Sequence, residues 1–238
     1  PLAANVGDAA LLFAAMAGRE DRDAQSPPSE LRGLRLGIVR DFSLQALDPD
    51  VERALRDALG TLAGLGSEVR EVSLAALAAQ PEYGPMLDIL LYEFHQVLGA
   101  EYRATPRREE AFGATVRANL ERGAALRAED YQAALAARDR FVRDVRRAFG
   151  TLDALVTPTA AMTAPALDAA EAEFERGRRF TLPFSFAGLP AISVPCGFDR
   201  AGLPIGMQIV ADRLQEPLAL RIAAAYEAVS ATGLRPPE

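Results

Sequence analysis

The apolar positions of this chain follow two periods that alternate along it. Val6, Ala10, Phe13 and Ala14 recur three or four residues apart, with Asp8 in the first turn and Gly18 beyond the last, which predicts a short amphipathic helix over residues 5–18. "LRLGIV" sets Leu34, Leu36 and Ile38 two apart, the spacing of a strand. "DPDVERALRDALGTLAGLG" returns to the helical period: Val51, Leu55, Leu59 and Leu62 share a face, Asp48 can cap, and Pro49 takes the first helical position. "SEVREV" reads as a further strand. Strand, helix, strand at this spacing predicts a right-handed unit with parallel strands.

From Pro81 to Phe149 the pattern is helical, in three pieces: "GPMLDILLYEFHQVL", "FGATVRANLERG" and "EDYQAALAARDRFVRDVRRAF". The last carries Tyr131, Leu135, Val142, Val145 and Phe149 along one stripe. "DALVTPTA" reads as a buried strand ending at Pro158. "DRDAQSPPSELRG" reads as a loop, and the polar "DAAEAEFERGRR" as a mobile stretch. In "FSFAGLPAISVPCGF", Ile192, Val194, Cys196 and Phe198 alternate with Ser193 and Pro195, so a strand is predicted with a proline inside it. "DRAGLP" is a turn and "IGMQIVA" an antiparallel partner strand; a last helix starts at Pro217 and carries Leu218, Ile222, Tyr226 and Val229. The pattern as a whole predicts an α/β fold, with a mixed, mostly parallel β-sheet of at least five strands covered by helices and one sheet neighbour lacking.

Composition narrows the chemistry. Half of the 238 residues are hydrophobic and a quarter are charged, ordinary for a globular protein. A net charge of −7 argues against nucleic acid or an anionic membrane as partner. No apolar run is long enough to span a bilayer, and a single cysteine makes no internal disulfide, which suits a reducing cytoplasm. The chain opens "PLAANVGDAALLF" without Met, as if cut into a longer protein. It contains no lysine: all 26 basic residues are arginine, which stays protonated and cannot act as a general base.

The residues alone assemble no catalytic constellation. Cys196 would need a nearby base or a helix N-terminus to become a thiolate, yet it lies mid-strand among apolar residues and reads as packing. His95 is the only histidine and sits mid-helix in "LLYEFHQVL", where a surface or boundary role is expected. A thiol hydrolase using both is the alternative they leave. One His and one Cys far apart make no metal site, and no glycine-rich phosphate loop is present, so neither metal nor cofactor is expected. The carboxylate pairs Asp21/Asp23, Asp48/Asp50, Glu109/Glu110 and Glu129/Asp130 fall in loops or helix starts, where solvation and the helix dipole account for them.

Read as one string, the later motifs resemble the amidase signature family of serine-dependent amide hydrolases. "DALVTPTA" is similar to the family's D-x-L-L-x-P-T strand, and "FTLPFSFAGLPAISVPCGFDRAGLPIGMQIVA" to its run F-T-x-P-x-N-x-x-G-L-P-A-x-S-V-P-C-G followed by G-L-P-x-G-L-Q-L. "AAAYE", "PLAANVGDAALLFAAMAG" and "LRGLRLGIVRDF" match further family segments in order. The resemblance implies an incomplete amidase-signature α/β/α fold: the C-terminal portion of a single amidase domain over residues 1–238, with a helical substrate-pocket region at about 81–150. It also implies a gap. The family's lysine, its serine in a cis peptide and its nucleophilic serine lie N-terminal to the motif at which this chain opens, so the chain alone is expected to be inactive.

The resemblance implies a small-molecule amide substrate, the missing N-terminal amidase half as partner, and a homodimer as a further option. It places Thr157, Thr159, Phe180, Thr181 and Phe184 at the substrate pocket, joined by Tyr83 and Arg117 from the helical region; packing or solvation is the plain alternative for each. Pro195 is expected at a bulge or at the mouth of the site. Two departures matter. Ala4 stands where the family usually has Arg, and Arg178-Arg179-Phe180 stands where glutamine-dependent tRNA amidotransferase subunits carry an acidic residue. The second departure favours a general amidase over a glutamine-using protein of that kind, and it admits an acidic substrate. A degenerate, non-catalytic interaction module is the reading from a different class.

Overall fold

A computed structural model describes residues 1–19, 30–79 and 83–230, with Tyr83 and Glu171 described by their backbone alone. The chain forms two compact units: residues 1–79 with 145–238, and residues 80–144. Most of the loop expected at "DRDAQSPPSELRG", with Asp21 and Asp23, lies outside the described residues.

The first unit is built on a five-stranded sheet. Its strands are β1 (Arg35–Val39), β2 (Glu68–Val72), β3 (Ala154–Pro158), β4 (Ala191–Phe198) and β5 (Pro204–Ala211), in the order β2-β1-β3-β5-β4. β1 pairs in parallel with β2 and with β3, while β5 pairs antiparallel with β3 and with β4. Four strands therefore run one way and β5 alone opposes them, the mostly parallel sheet with a terminal hairpin that the hydrophobic pattern predicts. Arg35 ties β1 to β3 with two guanidinium bonds to Asp153, at 3.1 and 3.0 Å, and a backbone N–H bond at 2.7 Å. Those bonds hold the Asp153 carboxyl below its usual range.

The helices of this unit are α1 (Val6–Met16), α2 (Arg40–Ser43), α3 (Pro49–Gly64), α4 (Ala75–Ala78), α9 (Glu171–Arg178), α10 (Leu182–Ala187) and α11 (Glu216–Val229). Val51, Leu55 and Leu62 of α3 and Ile222 and Tyr226 of α11 pack with Leu36, Ile38, Val156, Val194, Met207 and Ile209 in one apolar cluster. Side chains alternate across a strand, so Leu155, Thr157, Gln208 and Val210 face the other way, all of them buried. α1 is capped by the Asn5 side chain, which accepts from the Asp8 N–H at 2.7 Å, and by the Glu227 carboxylate, 3.1 Å from the Val6 N–H.

Four local expectations change. Asp48 precedes α3 without capping it; its carboxylate instead accepts from Arg176 at 2.8 Å. That bond anchors α9, so the polar stretch expected to be mobile is partly helical. "FTLPF", expected to enter a strand, contains the start of α10, with Pro183 in its first turn and Gly188 ending it at φ 66°. Phe198, expected on the Cys196 face, sits at the exposed end of β4.

The second unit comprises α5 (Tyr83–Ala104), α6 (Arg108–Ala111), α7 (Ala114–Ala125) and most of α8 (Ala128–Arg146). α5 and α7 approach closely at Gly123, where an added Cβ would overlap the Leu91 carbonyl. Tyr92 and Tyr131 stack with ring centroids 4.4 Å apart. Ala134 and Phe141 are the buried residues of α8 here, beside the half-buried Tyr131, Leu135 and Val142 of the expected stripe.

Helix α3 approaches the sheet closely at Gly197, where an added Cβ would stand 2.8 Å from the Ala54 Cβ. Gly197→Ala must push α3 outward and should destabilise the protein by about 1–3 kcal/mol, read as a lower urea midpoint with an unchanged slope.

Candidate functional site

The interior of the second sheet face is polar where the strands meet. Thr157 of β3 and Ser193 of β4 both register with Gln208 of β5, forming a row across three strands. The Gln208 carboxamide donates to the Thr157 hydroxyl and to the Phe180 carbonyl, each at 2.9 Å, and Thr157 donates onward to the Pro158 carbonyl at 3.0 Å. Just beyond the end of β3, the Thr159 and Ser193 hydroxyls meet at 2.6 Å over Gly206, where a Cβ would lie 2.8–2.9 Å from both oxygens. The glycine makes room for that pair.

Above the row sits an aromatic cluster. Phe42 meets Phe180 edge-on at 5.0 Å and Phe184 at 6.3 Å. The Arg179 guanidinium stacks 5.1 Å from the Phe180 ring and donates to the Gln45 carbonyl at 2.8 Å. Arg179 is thus committed to the fold, while its neighbour Arg178 is exposed.

The residues expected at the pocket separate into three groups. Thr157, Phe180 and Phe184 come together through Gln208 and Phe42, but all three are fully buried and present no surface. Thr159 and Thr181 are half-buried; Thr181 donates to the Arg178 carbonyl at 3.1 Å. In the second unit, Arg117 donates to the Glu109 and Phe112 carbonyls at 2.9 and 3.2 Å, closing the end of α6, and the Tyr83 side chain lies outside the described residues. Gln208, Ser193 and Gly206 were not singled out by pattern; the signal for Gln208 was a lone amide in an otherwise apolar strand.

A groove of about 630 Å³ runs beside this row along β4, walled by residues 1–6, Phe13, the chain from Gly188 to Pro195, and Leu214 and Leu220. Ser193 belongs to the groove and to the hydroxyl pair, so it links Thr159 to the opening. In this strand Pro195 precedes a bulge at Cys196.

The thiol and imidazole are both engaged elsewhere. Cys196 is buried, and burial pushes its pKa up to about 12, the opposite of an activated thiolate. His95 meets the Leu120 carbonyl through Nδ1 at 3.1 Å and the Arg103 guanidinium through Nε2 at 3.3 Å. A carbonyl only accepts and arginine only donates, so Nδ1 carries the proton and both ring nitrogens are occupied. Among the described residues no group of three or more His, Cys, Asp or Glu is placed to hold a metal ion, and no helix is long and apolar enough to cross a membrane.

A mixed sheet with one opposing strand, covered by helices, places the chain among α/β proteins. Its sequence matches the Amidase family over residues 1–220, and the chain belongs to that family. It is 36% identical over 95% of its length to a glutamyl-tRNA(Gln) amidotransferase subunit of Cyanothece sp., covering 54% of that protein. It is 34% identical to the corresponding protein of Myxococcus xanthus, at the same coverage of each. Among solved structures it resembles an amidase (29% identity, TM-score 0.77, 94% of this chain and 51% of that one). It also resembles 6-aminohexanoate cyclic dimer hydrolase (26% identity, TM-score 0.79, 98% of this chain and 55% of that one). The chain spans about half the length of the relatives it matches.

Gln208→Leu keeps the volume but leaves the Phe180 carbonyl and Thr157 hydroxyl without their donor, and should destabilise by about 1–3 kcal/mol in urea melts. The Cys196 thiol should not react with Ellman's reagent at pH 8 until the protein is unfolded. Its proton is held to about pH 12 in the fold but is released near about 8.5 in an unfolded chain. Stability should therefore fall as pH rises between those values, and Cys196→Ala should flatten that fall.

Proposed function

We propose that this chain is the C-terminal, pocket-forming half of an amide hydrolase, completed by a triad-bearing amidase segment outside this sequence. The observation that carries the reading is the family match through the final hairpin in a chain that has no lysine. In the assembled enzyme a serine oxygen attacks the amide carbonyl, and lysine passes the serine proton through the second serine to the leaving nitrogen. The C–N bond breaks to release ammonia or an amine, and water then cleaves the acyl-enzyme to the carboxylic acid. This half supplies Thr157, Thr159, Phe180, Thr181 and Phe184 around the acyl pocket. Thr159 and Thr181 are the half-buried members of that set, and the buried phenylalanines shape the floor. The setting is a reducing cytoplasm.

A second reading has support of its own: relatives at 32–36% identity are named as subunits of glutamyl-tRNA(Gln) amidotransferase. In that reading the substrate is glutamine, and further subunits receive the ammonia. Arg178 and Arg179 stand against it.

Intact mass under denaturing conditions, followed by an amide screen with glutamine included, tests both. The 238-residue chain alone should release no ammonia or amine above background, and joined to a triad-bearing segment it should. Glutamine as the sole substrate would favour the second reading; hydrolysis by the chain alone would remove the first. In the complete enzyme, Arg178→Glu should lower turnover of an acidic amide by roughly fivefold, the equivalent of about 1 kcal/mol for an exposed ion pair. Unaltered turnover would take Arg178 out of the site.

A further inference from the structure

Two candidate pocket residues, Thr159 and Thr181, are joined by a segment that the core does not hold. Ala161 near its start and Phe180 at its end are buried, but no residue from Met162 to Arg179 is, among those whose side chains are described. Leu167 is fully exposed, and Phe174 of α9 is 41% exposed. A helix without a buried apolar stripe gains no anchorage from packing, so the polar bonds of the segment decide where it lies.

Those bonds converge on one turn. The Asp48 N–H donates to the Ala161 carbonyl at 2.9 Å, and the Asp48 carboxylate accepts from Arg176 at 2.8 Å, so one residue grips both ends of the segment. Three residues earlier, the Gln45 carbonyl accepts from Arg179 at 2.8 Å. Between them Ala46 has φ 54°, a left-handed conformation that is unfavourable for a residue with a side chain and persists where surrounding contacts fix it. The Thr163 hydroxyl adds a bond to Asp199, at 2.8 Å, in the turn between β4 and β5. The Asp48 and Arg176 side chains are each nearly half exposed. An ion pair in that setting is weak and screened by salt, so it breaks and re-forms readily.

We propose that residues 162–179 are a movable strap over the candidate pocket and that Asp48 is its latch. Closed, the strap holds Arg178 at the rim, where it meets an anionic group of the substrate; open, it lets substrate pass. Asp48 is a positioning residue that acts through Arg176 and the strap. The role of Arg178 rests on the reading of the chain as half of an amide hydrolase, whereas the latch itself does not.

Hydrogen exchange of the 238-residue chain tests the latch without any activity. Asp48→Asn removes the charge and keeps the backbone N–H. The α9 amides of Glu175 to Arg178 should then exchange roughly threefold faster, the effect of losing one exposed ion pair, while those of α3 keep the parent's rates. Salt at about 1 M, where screening acts within about 3 Å, should do the same to the parent and nothing further to the variant. Arg176→Gln should match Asp48→Asn, and the double variant should exchange no faster than either. Unchanged exchange in α9, or effects of the two substitutions that multiply, would overturn the latch. Faster exchange in α3 as well would also overturn it, by making Asp48 a support of its own helix. In the chain joined to a triad-bearing amidase segment, Asp48→Asn should raise KM for an acidic amide about threefold at unchanged kcat, and should add nothing to Arg178→Glu. An equal rise for a neutral amide, or a fall in kcat instead, would overturn the positioning role. If exchange responds as stated and no amide is hydrolysed, the latch stands and the hydrolase reading falls; hydrolysis without the exchange response does the reverse.

Discussion

A buried carboxamide left without partners costs about 1–3 kcal/mol, and Gln208 lies in the one strand of this sheet that has neighbours on both edges through antiparallel ladders. Its amide nitrogen is satisfied by the Thr157 hydroxyl and the Phe180 carbonyl. The second bond holds the chain between α9 and α10 against the sheet, and with it the Phe180 ring, which meets Phe42 edge-on. Arg179 then stacks on both rings and reaches the Gln45 carbonyl. One polar requirement in the middle of the sheet thus positions the helices and aromatic rings that cover this face.

Two glycines of the hairpin have structural reasons. Gly206 leaves the space in which the Thr159 and Ser193 hydroxyls meet, and Gly197 lets α3 settle against β4. Between them, Pro195 and the bulge at Cys196 break the regular ladder without breaking the hairpin, since the proline nitrogen faces outward. A cysteine at that bulge is directed into the apolar cluster under α3 and α11, which removes it from nucleophilic chemistry.

Membership of the Amidase family accounts for the order of the motifs along the chain, and the structure accounts for their chemistry. Residues that resemble family pocket positions divide here by burial. Phe180 and Phe184 are fully buried, Thr159 is a half-buried hydroxyl, and Arg117 closes a short helix in the other unit. Ser193, on the open edge and bonded to Thr159, is where the polar row reaches the groove.

Periodicity alone determined the strands, the long helices and the terminal hairpin, because burying one face of each element imposes a repeat of two or about 3.6 that is written directly in the residues. The missing lysine and the packing role of Cys196 were likewise legible, since each is a property of composition or of a strand face. The roles of Asp48, Arg176, Gln208 and Ser193 were not. Whether Asp48 caps its own helix or holds Arg176 from another depends on which groups long-range folding brings within reach. The helix at Leu182–Ala187 was hidden for a related reason: a proline and two phenylalanines suit a strand entry as well as a first turn, and packing against Phe42 decided between them. Local spacing specifies which elements form; only the tertiary structure specifies which polar groups meet, because those partners lie 28 to 134 residues apart along the chain.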